Sequence, residues 1–128
     1  MTEKFTVEII TPDKSILKSD AQEVTIPSYE GEMGILKDHI PLITFLRPGF
    51  ISIQNQDKKK YFVEEGTVEF SNNNLLILTS TARDLAHFDK SIINEMLQKA
   101  EANLNTQTTD KDRYVASYKF QTLKEINQ

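Results

Sequence analysis

The side chains that commonly do chemistry are present in this chain but are not grouped for it. Its two histidines, His39 and His87, lie far apart, cysteine is absent, and no His-Glu-x-x-His arrangement occurs, so neither a metal site nor a thiolate nucleophile is expected. Paired carboxylates stand at Glu30/Glu32 and Glu64/Glu65. Glycoside hydrolysis needs such groups across a cleft with one held protonated, whereas both pairs here read as solvated turn positions. Gly31 and Gly34 resemble a fragment of a phosphate-cradling loop, yet no Gly precedes Lys and Ser or Thr at the required spacing, and flanking glutamates would repel phosphate. A tight turn is the better reading. The run Lys58 to Lys60 reads as an exposed hairpin end, His39 as a hydrogen-bonded residue fixing its loop, and His87 as a boundary residue without a role. With no nucleophile elbow either, no catalytic residue is assigned.

One stretch, Tyr29 to Gly49, must position whatever this chain binds. It holds Gly31, Gly34, Pro41, Pro48 and His39 around the apolar residues Leu42, Ile43, Phe45 and Leu46. Glycine opens backbone angles closed to other residues, and proline fixes a dihedral and removes a donor. The stretch therefore reads as an irregular loop rigidly bound to a core strand, with Leu42 to Leu46 expected inside.

At 128 residues with 38% hydrophobic content, the chain has room for one compact domain and a small appendage. A formal charge of −4 leaves no excess of Lys and Arg to neutralise phosphates, which argues against a nucleic-acid partner. Residues 1–87 carry 13 acidic and 9 basic groups, whereas residues 88–128 carry 6 of each, so the whole imbalance lies in the first part. The N-terminus opens directly on a strand-like pattern, and no apolar run approaches the roughly 18 residues of a membrane span, so a soluble chain without an export signal and without membrane insertion is expected.

Phe5, Val7 and Ile9 alternate with Thr6 and Glu8 as in a half-buried strand. Short strands follow around Ile16, at Val24 to Ile26 closed by Pro27, at Ile35-Leu36, from Leu42 to Leu46, and around Phe50 to Ile53. Further strands are expected at Lys59 to Val63, Thr67 to Phe70 and Leu75 to Leu78, with turns at Asn55 to Lys58, Glu65-Gly66 and Asn72 to Asn74. Regular spacing of this kind predicts an antiparallel sandwich or flattened barrel over residues 1–87.

From Asp89 the period changes. Ile92, Ile93, Met96, Leu97, Ala100 and Leu104 recur at helical intervals behind Asp89 as N-cap. Thr109 with Asp112 resembles a capping box opening a second helix, with Val115, Tyr118, Thr122 or Leu123, and Ile126 near one face and Lys111, Arg113, Lys119 and Lys124 on its polar surface. The class is therefore mainly β with C-terminal α: a sandwich followed by a two-helix antiparallel hairpin over residues 88–128. Helices this short need something to pack on. Two functional classes remain open at this level, an interaction subunit and a small ligand-binding regulator, and the missing catalytic constellation favours the first.

Glu30-Gly31-Glu32-Met33-Gly34-Ile35-Leu36, then His39, Pro41-Leu42 and Arg47-Pro48-Gly49, resemble the signature of the epsilon subunit of the F-type ATP synthase, called delta in mitochondria. The order of sandwich and hairpin is similar over the whole chain. The resemblance implies a non-catalytic rotor subunit joining the c ring to the gamma subunit, peripheral to the cytoplasmic face of a bacterial inner membrane. Glu30, Gly31, Glu32, Met33 and His39 would then be partner contacts, with the acidic residues facing the ring. It also implies a hairpin that extends along the shaft and inhibits ATP hydrolysis by the alpha/beta head, with Lys111, Arg113, Lys119 and Lys124 as contacts.

Some members of that family bind ATP in the hairpin through Ile or Leu, Asp, two residues, then Arg-Ala. Phe88 and Asp89 match the start of that motif, while Ile92 and Ile93 replace Arg and Ala. Asp89 is thus the one candidate carried over, and with its cation replaced no cofactor is expected. Lys37-Asp38 also stand where the family has Pro-Gly. Aspartate tolerates turn geometry, so the same loop path is expected.

Overall fold

A computed structural model of the chain describes residues 3–126. The strands are β1 (Phe5–Ile10), β2 (Ser15–Ala21), β3 (Glu23–Ser28), β4 (Gly31–Leu36), β5 (Leu42–Leu46), β6 (Gly49–Gln54), β7 (Lys58–Val63), β8 (Gly66–Ser71), β9 (Asn74–Leu78) and the two-residue β10 (Arg83–Asp84). A short turn of 3-10 helix at Leu85–His87 leads into α1 (Lys90–Leu104) and α2 (Asp110–Ile126). No helix among the described residues is long and apolar enough to cross a membrane.

Hydrogen bonds link the strands in the order β10-β7-β6-β3-β5-β8-β9-β1-β2, with β4 paired to β3 as a hairpin. The sheet folds over at β3, which pairs with β6 through Glu23 to Thr25 and then with β5 at Ser28 and Leu46, to give two facing layers. Pairing is antiparallel except between β1 and β9, where the first strand closes the second layer. Val7, Ile9, Val24, Ile26, Ile51, Tyr61, Val63, Val68, Phe70, Leu75 and Ile77 fill the space between the layers. Alternation along each strand sends these residues inward.

Tyr29 to Gly49 is more regular than its composition implied. Instead of an irregular loop, Gly31 to Leu36 form β4, and only Tyr29 and Glu30 make the turn. Gly31 takes φ +123° there, and the buried Ser28 closes the turn by donating to the Gly31 carbonyl (2.9 Å) and accepting from the Glu30 amide (3.1 Å). Pro27 does not end β3, because its missing donor falls where the ladder passes from β6 to β5, while its carbonyl accepts from the Arg47 amide at 2.9 Å. Leu42 to Leu46 are not buried as a block. The pleat turns Leu46 inward and leaves Ile43 72% and Phe45 61% exposed. Likewise, Ile93 and Ala100 are the buried positions of α1, while Ile92 faces outward.

Gly66 begins β8 at φ +155°, and a Cβ there would lie 2.5 Å from the Leu78 carbonyl oxygen. Neither backbone can retreat, because β8 and β9 are paired at this point through Thr67 and Leu78. Gly66→Ala is therefore expected to destabilise the sandwich by about 1–3 kcal/mol, read as a lower urea midpoint at unchanged slope. An unchanged midpoint would contradict this account.

Candidate functional site

Three surfaces gather the residues singled out in the sequence. The first is the outer face of β5, β8, β9 and β1. Register places Ile43 beside Glu69 and Leu76, and Phe45 beside Thr67 and Leu78, with Ile10 next across β9. Ile43, Phe45 and Leu78 are exposed, and Ile40, 74% exposed, precedes β5. Apolar side chains of β5 and β9 thus flank a polar strip of Thr67 and Glu69 on β8, and large apolar groups gathered on one face make it a candidate interaction surface.

The second surface is the β3–β4 turn. Glu30 and Glu32 are exposed and form no ion pair among the described residues, Gly31 shapes the turn, and Met33 is half-buried against the sandwich core. His39 stands away from this turn, because β4 intervenes with six residues, roughly 20 Å at strand rise. Its Nδ1 lies 2.6 Å from the Ile40 carbonyl oxygen, and its ring meets the Phe70 ring edge-on at 5.9 Å. His39 thus braces the turn before β5 and not the acidic turn.

An unforeseen pair completes that brace. The Asp38 amide donates to the Asn73 side-chain carbonyl at 2.7 Å, and the Asn73 amide group donates back to the Asp38 carboxylate at 3.0 Å. Both residues have positive φ, which Asp and Asn tolerate better than most. The cluster Asn72 to Asn74 signalled a turn, but nothing local identified Asp38 as its partner.

The third surface is where the hairpin lies on the sandwich. Tyr61 and Val63 of β7 point into the core, so Phe62 points outward, and it is buried there with Ala100 and Leu123 among Leu85, Phe88, Met96 and Phe120. Around this contact, the Tyr114 hydroxyl donates to the Tyr29 carbonyl at 3.1 Å and the two rings stack at 5.6 Å. The Arg47 guanidinium lies 3.9 Å from the centre of the Tyr118 ring, and Lys119 meets Glu64 at 2.5 Å. Desolvation, and then the neighbouring Tyr118, push the Tyr114 hydroxyl above the ordinary tyrosine range, while Arg47 pulls it back. Burial, then Asp84, likewise raises Tyr61.

The four basic residues of α2 separate in this arrangement. Lys119 is tied to Glu64; Lys111, Arg113 and Lys124 are exposed, with Arg113 Nε donating to the Gln107 carbonyl at 3.2 Å and Lys124 near the Phe120 ring. Asp89 caps α1, its carboxylate accepting from the Ser91 amide (2.9 Å) and hydroxyl (3.0 Å). A cavity of about 270 Å³ between β6 and α2 is lined by Arg47, Phe50, Lys60, Tyr118 and Glu125 among others, and not by Asp89. No group of three or more residues suited to holding a metal ion occurs among the described residues.

A sheet face with Ile43, Phe45 and Leu78 exposed on one layer, and a helical hairpin packed on the other, is the arrangement of a docking subunit. Residues 4–84 match the family model described as ATP synthase, Delta/Epsilon chain, beta-sandwich domain. The chain is 48% identical to the ATP synthase epsilon chain of Pelagibacter ubique over 99% of its length and 100% of that protein's. It is also 39% identical to the mitochondrial ATP synthase subunit delta of Schizosaccharomyces pombe, over 81% of its length and 65% of that protein's. Its fold matches a chain in the cryo-EM structure of the Euglena gracilis mitochondrial ATP synthase (OSCP/F1/c-ring), with TM-score 0.79 and 23% identity, over 98% of this chain and 82% of the other. The chain belongs to the delta/epsilon family of ATP synthase subunits.

Lys119 and Glu64 are both partly screened by protein, so their contact contributes about 0.5–1 kcal/mol. Lys119→Ala should speed hydrogen exchange of α2 amides about twofold to fivefold while leaving the sandwich strands unchanged; equal acceleration in the strands would refute a local role. For Tyr114, the raised docked pKa means that its contribution to docking is complete below about pH 10 and is lost as pH rises through the docked value. A tyrosine absorbance titration should show Tyr61 and Tyr114 both titrating late, and Tyr114→Phe should remove one of these two late components while leaving the other.

Proposed function

We propose that this chain is the non-catalytic central-stalk subunit of an F-type ATP synthase, coupling the membrane-embedded c ring to the gamma shaft. The observation that carries the reading is the open face around Ile43 and Phe45 on a chain of this family. Covering such side chains gains about 1.5–3 kcal/mol each, and gamma is the partner assigned to them. The turn with Glu30 and Glu32 meets the polar loops of the ring, where opposite charge fixes orientation and speeds encounter more than it adds affinity. Gly31 shapes this turn, Met33 ties it to the core, and His39 holds the turn beside the gamma face. A turn closed by the two bonds of Ser28 has little freedom left to lose on docking.

Residues 1–87 are on this reading the rotor-docking domain and residues 88–128 the regulatory one. Released from the sandwich and extended along the shaft, the hairpin brings Lys111, Arg113, Lys119 and Lys124 to an acidic surface of the alpha/beta head and opposes rotation in the hydrolysing direction. The subunit works peripherally at the cytoplasmic face of a bacterial inner membrane, held there through the ring. A freestanding ATP-binding regulator is disfavoured, because Asp89 is engaged as a cap and Ile92 and Ile93 stand where the cation would be.

Co-purification with gamma tests the docking, and Ile43→Asp or Phe45→Asp should weaken it by about tenfold or more. Retention of gamma at wild-type level by both variants would refute the assignment of this face. Glu30→Gln with Glu32→Gln should slow association with the ring and flatten its salt dependence, with little change in dissociation. In the assembled enzyme, truncation after Phe88 should raise ATP hydrolysis while assembly persists; unchanged hydrolysis would remove the inhibitory role alone.

A further inference from the structure

The outer face around Ile43 and Phe45 is not uniformly apolar. β8 runs through its middle, with β5 on one side and β9 on the other, and alternation turns Thr67, Glu69 and Ser71 of β8 outward. Register places Glu69 level with Ile43 and Leu76, and continues that row to Glu8 of β1 and Lys18 of β2. Glu69 is exposed and forms no ion pair among the described residues. Glutamate is depleted in strands, and an isoleucine and a leucine beside it offer neither a cation nor a side-chain donor.

The other charges that register places on this face leave Glu69 uncompensated. Glu8 accepts from the Ser15 hydroxyl at 3.1 Å and has Lys18 directly across the β1–β2 pair. Asp20 stands beside Thr6, one row further along. Three carboxylates thus share these strands with the single ammonium group of Lys18, which lies three strands from Glu69, about 14 Å at strand spacing. Beyond the Phe45 end of the face, Glu65 and Lys111 line one cleft and offset each other. The face is therefore net negative, and Glu69 is its isolated charge.

A partner resting on Ile43 and Leu78 must cross Glu69. β5 and β9 are two strand spacings apart, about 10 Å, so a surface touching both lies over β8 and takes the carboxylate out of water. A carboxylate buried without a cation is among the costliest groups an interface can hold. We propose that the gamma shaft sets a basic side chain, of arginine or lysine, against Glu69 at the centre of this face, and that the pair fixes the register of gamma on the sandwich. The proposal rests on the reading that gamma covers Ile43 and Phe45, and it adds the chemistry of the contact: apolar groups over β5 and β9 with a cation between them. Ile43 and Leu76 shield the pair from water on both sides, which strengthens it relative to a pair at the rim.

The test measures binding kinetics of the full chain with purified gamma. Glu69→Gln removes the charge and Glu69→Lys reverses it, and both should keep the wild-type urea midpoint; a lower midpoint would give Glu69 a role inside the sandwich and overturn the proposal. Glu69→Gln should weaken gamma binding about tenfold and Glu69→Lys about a hundredfold, mainly through faster dissociation, as for a charge pair within an interface. Glu8→Gln should change affinity less than threefold. Acidic substitution of one basic surface residue of gamma should restore binding to Glu69→Lys. Affinity within twofold of wild type in both Glu69 variants, a loss confined to the association rate, or an equal loss in Glu8→Gln would each overturn the pairing. Tighter binding by Glu69→Lys would place an acidic group opposite and overturn it as well. If Phe45→Asp still weakened binding in any of these cases, the docking reading would survive alone. If Phe45→Asp also left binding intact, that reading and this proposal would fall together.

Discussion

The arrangement depends on a strand that is apolar on both sides. In β7, Tyr61 and Val63 enter the sandwich core, and the pleat then forces Phe62 out through the opposite face of the same sheet. A phenylalanine there stays out of water only if a third layer covers it. The hairpin is that layer: Ala100 and Leu123 close over Phe62, with Phe88, Met96 and Phe120 around them. Two helices too short to be stable alone thus gain the packing surface they need.

The same pattern recurs on the other layer with a different outcome. In β5 and β9, Leu46, Leu75 and Ile77 turn inward while Ile43, Phe45 and Leu78 turn outward, and among the described residues no element lies over them. One outer face is covered from within, and Ile43, Phe45 and Leu78 on the other are exposed. Charge follows the same division. Glu64 is spent inside the molecule on Lys119, whereas Glu30 and Glu32 are presented at a closed turn without an ion pair among the described residues.

The contacts that hold the hairpin are of a kind that can be exchanged. Around the buried Phe62 lie the Lys119–Glu64 ion pair, the Tyr114 hydrogen bond and the guanidinium groups of Arg47 and Arg83 over the Tyr118 and Phe88 rings, each contributing on the order of 1 kcal/mol. Tyr29 joins three regions: it belongs to the acidic turn, its amide donates to the Phe45 carbonyl beside the open face, and its carbonyl and ring meet Tyr114 of the hairpin.

By itself, the sequence determined the element types, their order, the change of period near Asp89 and the absence of a catalytic grouping, because these follow from local alternation, capping and composition. Resemblance in Glu30 to Gly49 was enough to identify the family, since glycine and proline at fixed spacing constrain a backbone path strongly. Only the tertiary structure decided which faces are open. Ile43, Phe45 and Phe62 are alike in hydrophobicity, and nothing within a strand says whether its second face will meet a helix, a partner or water. The pairing of Asp38 with Asn73, the tie between Lys119 and Glu64, and the meeting of Tyr29 with Tyr114 are long-range for the same reason: each depends on where two distant segments are placed by a core that neither of them forms.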